Sequence, residues 1–351
     1  MTTASPGTGH RLGAEQARPL RARARRDDLY RPRGGVWPID MAVLSLAAAA
    51  VLAVSMAVSW RPSLVDRAPR DLQVRARRAE ATMRRAAAVI RDARRAERVP
   101  SEADDGSVMS ALLGAELTPI TTTLGNLEAK RIATKPAWAS ALVLRLDRAG
   151  LRGGDVVAAS LSGSFPGLDL ALAAACQALD LRLVAISSVT ASSWGANQPG
   201  FTWPEIEARL VRAAVIRRST IALSTGGAED RAADLEPEGR AEAVRIAEAV
   251  GVQLGVPVLR PANFEHAIVL HLKSYNRAAG DRPIRLYANV GGAEASLGRS
   301  AAVLRLRNGF LPGVPFDFSP NRGVLARFAE RGVPVLTLLN VRDLALRWGI
   351  L

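Results

Sequence analysis

Ser164 lies in the stretch Ser160-Leu161-Ser162-Gly163-Ser164-Phe165-Pro166-Gly167, between an apolar run and an alanine- and leucine-rich helical pattern. A serine in a glycine-containing turn from strand to helix presents its hydroxyl as nucleophilic serines of hydrolases do. The loop reads S-G-S-F-P rather than G-x-S-x-G. A base must come from elsewhere, and beyond the N-terminal arm the only histidines are His266 and His271, both in a helical pattern. Either is a candidate base, or a surface or packed histidine.

Comparable loops follow four other runs. They are 187–197 with Ser188, Trp194 and Asn197; 224–230 with Gly226, Gly227, Glu229 and Asp230; 289–298 with Asn289, Gly291 and Gly292; and 340–343. Glycines let main-chain N–H groups approach a ligand, and helix N-termini add partial positive charge, a combination suited to phosphate or carboxylate. Ser, Asn and Gly also form turns and helix caps without any ligand. Glu229 and Asp230 are an acid pair suited to a cation or an amine, or simply to a helix dipole. Upstream, the hydroxyl-rich loop 116–125 carries Thr122 and Thr123 and leads to Lys130. Lys130, Lys135 and Lys273 are the only lysines in an arginine-rich chain, and a retained lysine suits a site needing a compact point charge. The ligand-binding set is therefore Thr122, Thr123, Lys130, Ser162, Gly163, Ser164, Ser188, Trp194, Asn197, Gly226, Gly227, Asp230, Asn289, Gly291 and Gly292, with Ser164 as the candidate catalytic residue. No metal-ligand spacing, phosphate-binding G-x-x-x-x-G-K-[ST] loop or dinucleotide fingerprint occurs, so neither metal nor cofactor is expected. Cys176, the single cysteine, reads as a small buried apolar side chain.

The elements that must position these loops are short apolar runs at 156–161, 183–189, 220–224, 284–290 and 334–339. They alternate with helical patterns at 167–179, 203–218, 238–254, 264–278 and 320–331. This alternation predicts an α/β domain over 115–351. Its sheet is mostly parallel with helices on both faces, Rossmann-like, and the loops gather outside the carboxyl ends of the strands.

Residues 41–59, MAVLSLAAAAVLAVSMAVS, carry no charge, Pro or Gly and lie between Trp37 and Trp60. At about 1.5 Å per residue they match the hydrocarbon thickness, predicting a transmembrane helix over 39–60. A disordered basic arm occupies 1–38, and an Ala/Arg-rich helical stalk with its linker occupies 61–114. The net charge of +14 concentrates on the flanks of the span. It therefore points to the lipid bilayer rather than nucleic acid. Arginines are nearly balanced across the span; a short arm before a large domain favours arm-in, domain-out.

The stretches 120–130 (ITTTLGNLEAK), 154–170 (GDVVAASLSGSFPGLDL), 186–203 (ISSVTASSWGANQPGFTW), the Gly226-Gly227…Asp230 turn and 288–298 (ANVGGAEASLG) together resemble the bacterial poly-gamma-glutamate system protein family. The resemblance implies a membrane-anchored bacterial protein, which with the single span and its orientation predicts a place in the cytoplasmic membrane with the domain extracytoplasmic. Its implied role is accessory, in synthesis, export or anchoring of the poly-γ-glutamate capsule or exopolymer. The implied partners are the polyanionic polymer, the ATP-dependent ligase and its membrane subunits. The Gly226 loop departs from the family in reading A-E-D-R, and the C-terminal part matches weakly. Residues 155–188 also look like a phosphosugar-binding, sugar-isomerase-type unit. A serine hydrolase or transferase acting on the polymer through Ser164 is the third reading.

Overall fold

The computed structural model describes residues 38–59 (side chains over 41–52), 65–300, 303, 306–311 and 321–351. The expected arm, both bracketing tryptophans and the start of the 320–331 helical pattern lie outside the described residues. Helix α1, Pro38–Ser59, runs for 22 residues, and its described side chains, Met41 to Leu52, are all exposed. Among the described residues no helix is long and apolar enough to cross a membrane; the second half of the expected span continues past those side chains.

From residue 62 the chain forms one compact unit. This corrects the expected boundary at 115. Helix α2, Arg70–Glu97, is no free stalk. Leu72, Ala76, Ala79, Met83, Ala86, Ala87 and Ile90 recur at helical spacing on one face and are buried. They pack against α4, Ala137–Arg148, and α5, Pro166–Ala178. Burial of these apolar groups outweighs the arginines, which remain exposed or half-buried. Arg94 is the exception. Its guanidinium is buried and donates to the carbonyls of Val99, Ala111 and Leu113 and to Gln198 Oε1 at 2.7–3.1 Å. Burial and the neighbouring Arg209 lower its pKa to about 10. The expected linker is thus fastened to the domain, and Val108–Leu112 forms a 3-10 turn within it.

Among the described residues the sheet is mostly parallel and six-stranded. In chain order its strands are β1 (Val156–Leu161), β2 (Arg182–Ser188), β3 (Thr220–Ser224), β4 (Ile284–Val290), β5 (Gly309–Leu311) and β6 (Val335–Leu338), arranged β3-β2-β1-β4-β6-β5. The runs expected from sequence all form strands. β5, antiparallel to β6 through Gly309↔Thr337 and Leu311↔Val335, was not expected: three residues beginning with glycine give no periodic signal. Alternate residues serve the two faces. Val157, Ala159 and Leu161 join the core shared with α2, α4 and α5. Val156 and Ala158 join one built on Tyr275, Tyr287 and Phe328, from α8 (Phe264–Ala279), β4 and α10 (Val324–Glu330). Helix α7, Pro237–Leu254, covers β3. Helix α6, Trp203–Arg212, stops short of 218, because Ala214 takes a positive φ of 51°. Strand β1 connects toward β2 on one side, whereas its parallel neighbour β4 connects toward β6 on the other. The loops after β1 and β4 therefore lead away from each other and leave a crevice.

Candidate functional site

That crevice is a cleft of about 640 Å³. Its walls come from the loops after β1, β2, β3, β4 and β6 and from the segment Thr122 to Lys130 before the sheet. Of the expected residues, Thr122, Thr123, Lys130, Ser162, Ser164, Ser188, Gly226, Gly227 and Gly292 line it. The convergence expected of the loops is therefore observed.

The others stand behind the walls. Asn197 is fully buried; its side-chain amide accepts from Ala115 N at 3.0 Å and donates to Ala115 O and Thr121 Oγ1 at 2.9 Å. Asn289 is buried, and its Nδ2 donates to Gly291 O at 2.7 Å. Gly163 backs onto Trp203, and its N–H donates to Asp169 Oδ2 at 3.1 Å. Trp194 takes a positive φ of 63° and donates its N–H to Ala115 O. Gly291, at φ +84°, lies so close to β1 that a Cβ would meet Ser162 Oγ at 2.1 Å. These residues shape the site without facing it.

Asp230 is buried as well. Its carboxylate accepts from Ser224 Oγ and contacts His271 Nε2 at 2.7 Å. Glu229 pairs with Arg231 and Arg299, and the hydrogen bond from Arg231 is foremost in lowering its pKa. Neither member of the expected acid pair is free for a cation or an amine, and both ride a turn with φ near +60°. The base expected for Ser164 is also not a histidine. His271 is held by Asp230, and His266 Nδ1 accepts the Ala262 N–H at the start of α8. Helical periodicity gives no information about which side chain a histidine meets.

The group that does reach the serines is Lys130, on α3 (Leu127–Ala133). Asn126 caps this helix by accepting from Ala129 N at 2.9 Å. Gly167 lets the end of α3 lie against the start of α5, where any Cβ would come within 2.3 Å of Ala133 O. The Lys130 ammonium donates to Ser164 O and, at 2.6 Å, to Ser192 Oγ, and stands 4.1 Å from the centroid of the Phe165 ring. Lys130 is 2% exposed. Burial lowers its pKa to about 7, opposed by the charge of Asp169. Asp169 is fully buried beneath the Ser-Gly-Ser turn, and burial raises its pKa well above the ordinary carboxyl value. Ser164 N donates to Ser162 Oγ at 3.3 Å, and Ser192 N donates to Ser164 Oγ at 3.2 Å.

Sequence reasoning singled out neither Ser192 nor Thr190, though both line the cleft. Thr190 Oγ1 is buried with no hydrogen-bond partner, a state a bound polar group would relieve. The one available signal was Lys130, one of three lysines in an arginine-rich chain, upstream of a serine-rich loop. Glu128, Asp234 and Glu294 also stand at the cleft and are engaged: Glu128 with Arg342 at 3.5 Å, Glu294 with Arg299 at 2.6 Å, and Asp234 by accepting from Ala228 N at 2.7 Å. Among the described residues no cluster of His, Cys, Asp and Glu could hold a metal ion. No family model matches the chain, and neither a curated protein nor a solved structure does.

Proposed function

We propose that this is an accessory protein of poly-γ-glutamate synthesis, export or anchoring, held at the bacterial cytoplasmic membrane through the apolar helix near its N-terminus. Its Rossmann-like domain takes a short stretch of the polymer in the cleft. The observation that carries the reading is the lining of the cleft: the Lys130 ammonium held at Ser164 O and Ser192 Oγ, with Ser162, Ser164 and the unpartnered Thr190 hydroxyl lining the same cleft. A carboxylate chain offers acceptors to all of these donors, and charge-assisted hydrogen bonds to an ammonium are the stronger kind. The resemblance of the loop stretches supplies the polymer. The arginines on the solvent face of α2, among them Arg77, Arg78 and Arg84, would attract the remainder of a polyanion at low salt.

The test is fluorescence anisotropy of labelled poly-γ-glutamate titrated with the full chain. Saturable binding is expected, weakened as salt rises and reduced at least tenfold by Lys130→Met. Absence of binding at low salt would overturn the proposal. A sugar phosphate that raises Tm where the polymer does not would favour the phosphosugar reading, which the Ser-Gly-Ser turn at the cleft wall supports.

A further inference from the structure

Lys130 and Ser192 are separated by 62 positions in the chain and meet at 2.6 Å, both at the cleft wall. We propose that Ser192 is a nucleophile and Lys130 its general base, so that the cleft performs acyl transfer on an amide or ester. The inference rests on the reading of this cleft as the ligand site, and it moves the reactive hydroxyl from Ser164 to Ser192.

The geometry separates the two serines. Lys130 Nζ reaches Ser164 only at its carbonyl oxygen, and the Ser164 hydroxyl accepts from the N–H of Ser192. The amine that touches a hydroxyl touches that of Ser192. A serine needs an adjacent base to attack a carbonyl, and lysine performs this role in known serine–lysine pairs. A lysine can do so only when neutral. The same 2.6 Å line then carries the Ser192 O–H toward the Nζ lone pair. Lys130 is aimed from several sides. Ser164 O and the Phe165 ring fix its head, and Gly125 lies against its stem, where a Cβ would come within 3.0 Å of Cε. Ser193 N donates to Thr123 O, and Thr122 N to Ala191 O, stapling the loop of the nucleophile to the segment of the base. Burial places the lysine pKa at about 7, so the neutral amine is abundant at neutral pH. The other ionisable groups are Asp169 behind the Ser-Gly-Ser turn and Glu128, Asp234, Glu294 and Arg342 at the cleft.

The step balances with water or an amine as acceptor. Ser192 Oγ forms a bond to the acyl carbon while its proton passes to Lys130. Collapse of the tetrahedral adduct breaks the bond to the leaving nitrogen or oxygen, which takes that proton. Water or an amine then attacks the acyl–Ser192 ester, its proton passing through Lys130 back to Ser192 Oγ. With water the chain is cut; with an amine its acyl group is moved to a new partner.

The test uses a fluorophosphonate, which forms an Oγ–phosphorus bond as fluoride leaves. The full chain is labelled and the adduct mapped by peptide mass spectrometry. The adduct is expected on Ser192. Its rate should rise with pH through a midpoint near 7, and Lys130→Arg, which keeps a cation but no base, should slow it at least 100-fold. An adduct on Ser164, no adduct at any pH up to 9, or unchanged labelling in a folded Lys130→Arg overturns the pair. If Lys130→Arg does not fold, the mapped site and pH profile of the wild type decide. Polymer binding by anisotropy is read separately: binding without an adduct removes only the acyl transfer, and an adduct without binding removes only the polymer.

Discussion

The side-chain amide of Asn197 makes both of its main-chain hydrogen bonds to one residue, Ala115, accepting from its N–H and donating to its carbonyl. This pairing imitates a rung of a sheet. With the Asn197 Nδ2 bond to Thr121 Oγ1, it ties the segment before the sheet to the loop after β2, and so brings Lys130 within reach of Ser192.

Asn197→Ala leaves the N–H of Ala115 buried without a partner, while its carbonyl keeps the N–H of Trp194. One such group costs about 1–3 kcal/mol, so a loss of about that size is expected in urea unfolding. Polymer binding should fall with it, since the wall of the cleft depends on this staple. A variant as stable as the wild type would show that the pairing is dispensable.

Lys130 gives stability a defined pH dependence. Its folded pKa is depressed to about 7 from an ordinary 10.5, so between these values the unfolded chain binds a proton that the folded chain does not. Stability therefore rises with pH across this window as the unfolded lysine loses its proton, and the penalty is fully present below pH about 7. The difference in unfolding free energy between wild type and Lys130→Met, measured from pH 7 to pH 10, should shift in favour of the wild type. A difference independent of pH would show that the lysine is not desolvated.

Neighbouring glycines should respond in opposite ways. At Gly291 a Cβ would overlap Ser162 Oγ in a positive-φ conformation, whereas at Gly292 nothing lies within 4 Å. Gly291→Ala should cost about 1–3 kcal/mol and distort the Ser162 wall; Gly292→Ala should be near neutral. Thermal unfolding of the two variants, with polymer binding as a second readout, checks this.

The packing of α2 predicts that a chain beginning at residue 115 will not fold. Met83 and Ile90 are completely buried, and Met83→Ala in the full chain should cost about 2–5 kcal/mol. Cooperative unfolding of a chain starting at 115, with wild-type stability, would contradict the place of α2 in the core.

Much was determined by the sequence alone. Apolar runs bounded by Gly, Ser and Asn located five of the six strands, and the loops after them were identified as the cleft walls. These are local signals: strand and helix periods, turn chemistry and caps depend on residues a few positions apart. Only the tertiary structure decided which side chains meet. It turned the Ala/Arg-rich helix into a core element, because a partner face on α4 and α5 is available to its buried stripe. It placed Asn197, Asn289 and Asp230 behind the walls rather than in the cleft, and sent His271 to Asp230 instead of to Ser164. It also set Lys130 against Ser192. The reason is common to all of these: a side chain's partner, and the desolvation that alters its chemistry, depend on segments far apart in the chain, on which local pattern carries no information.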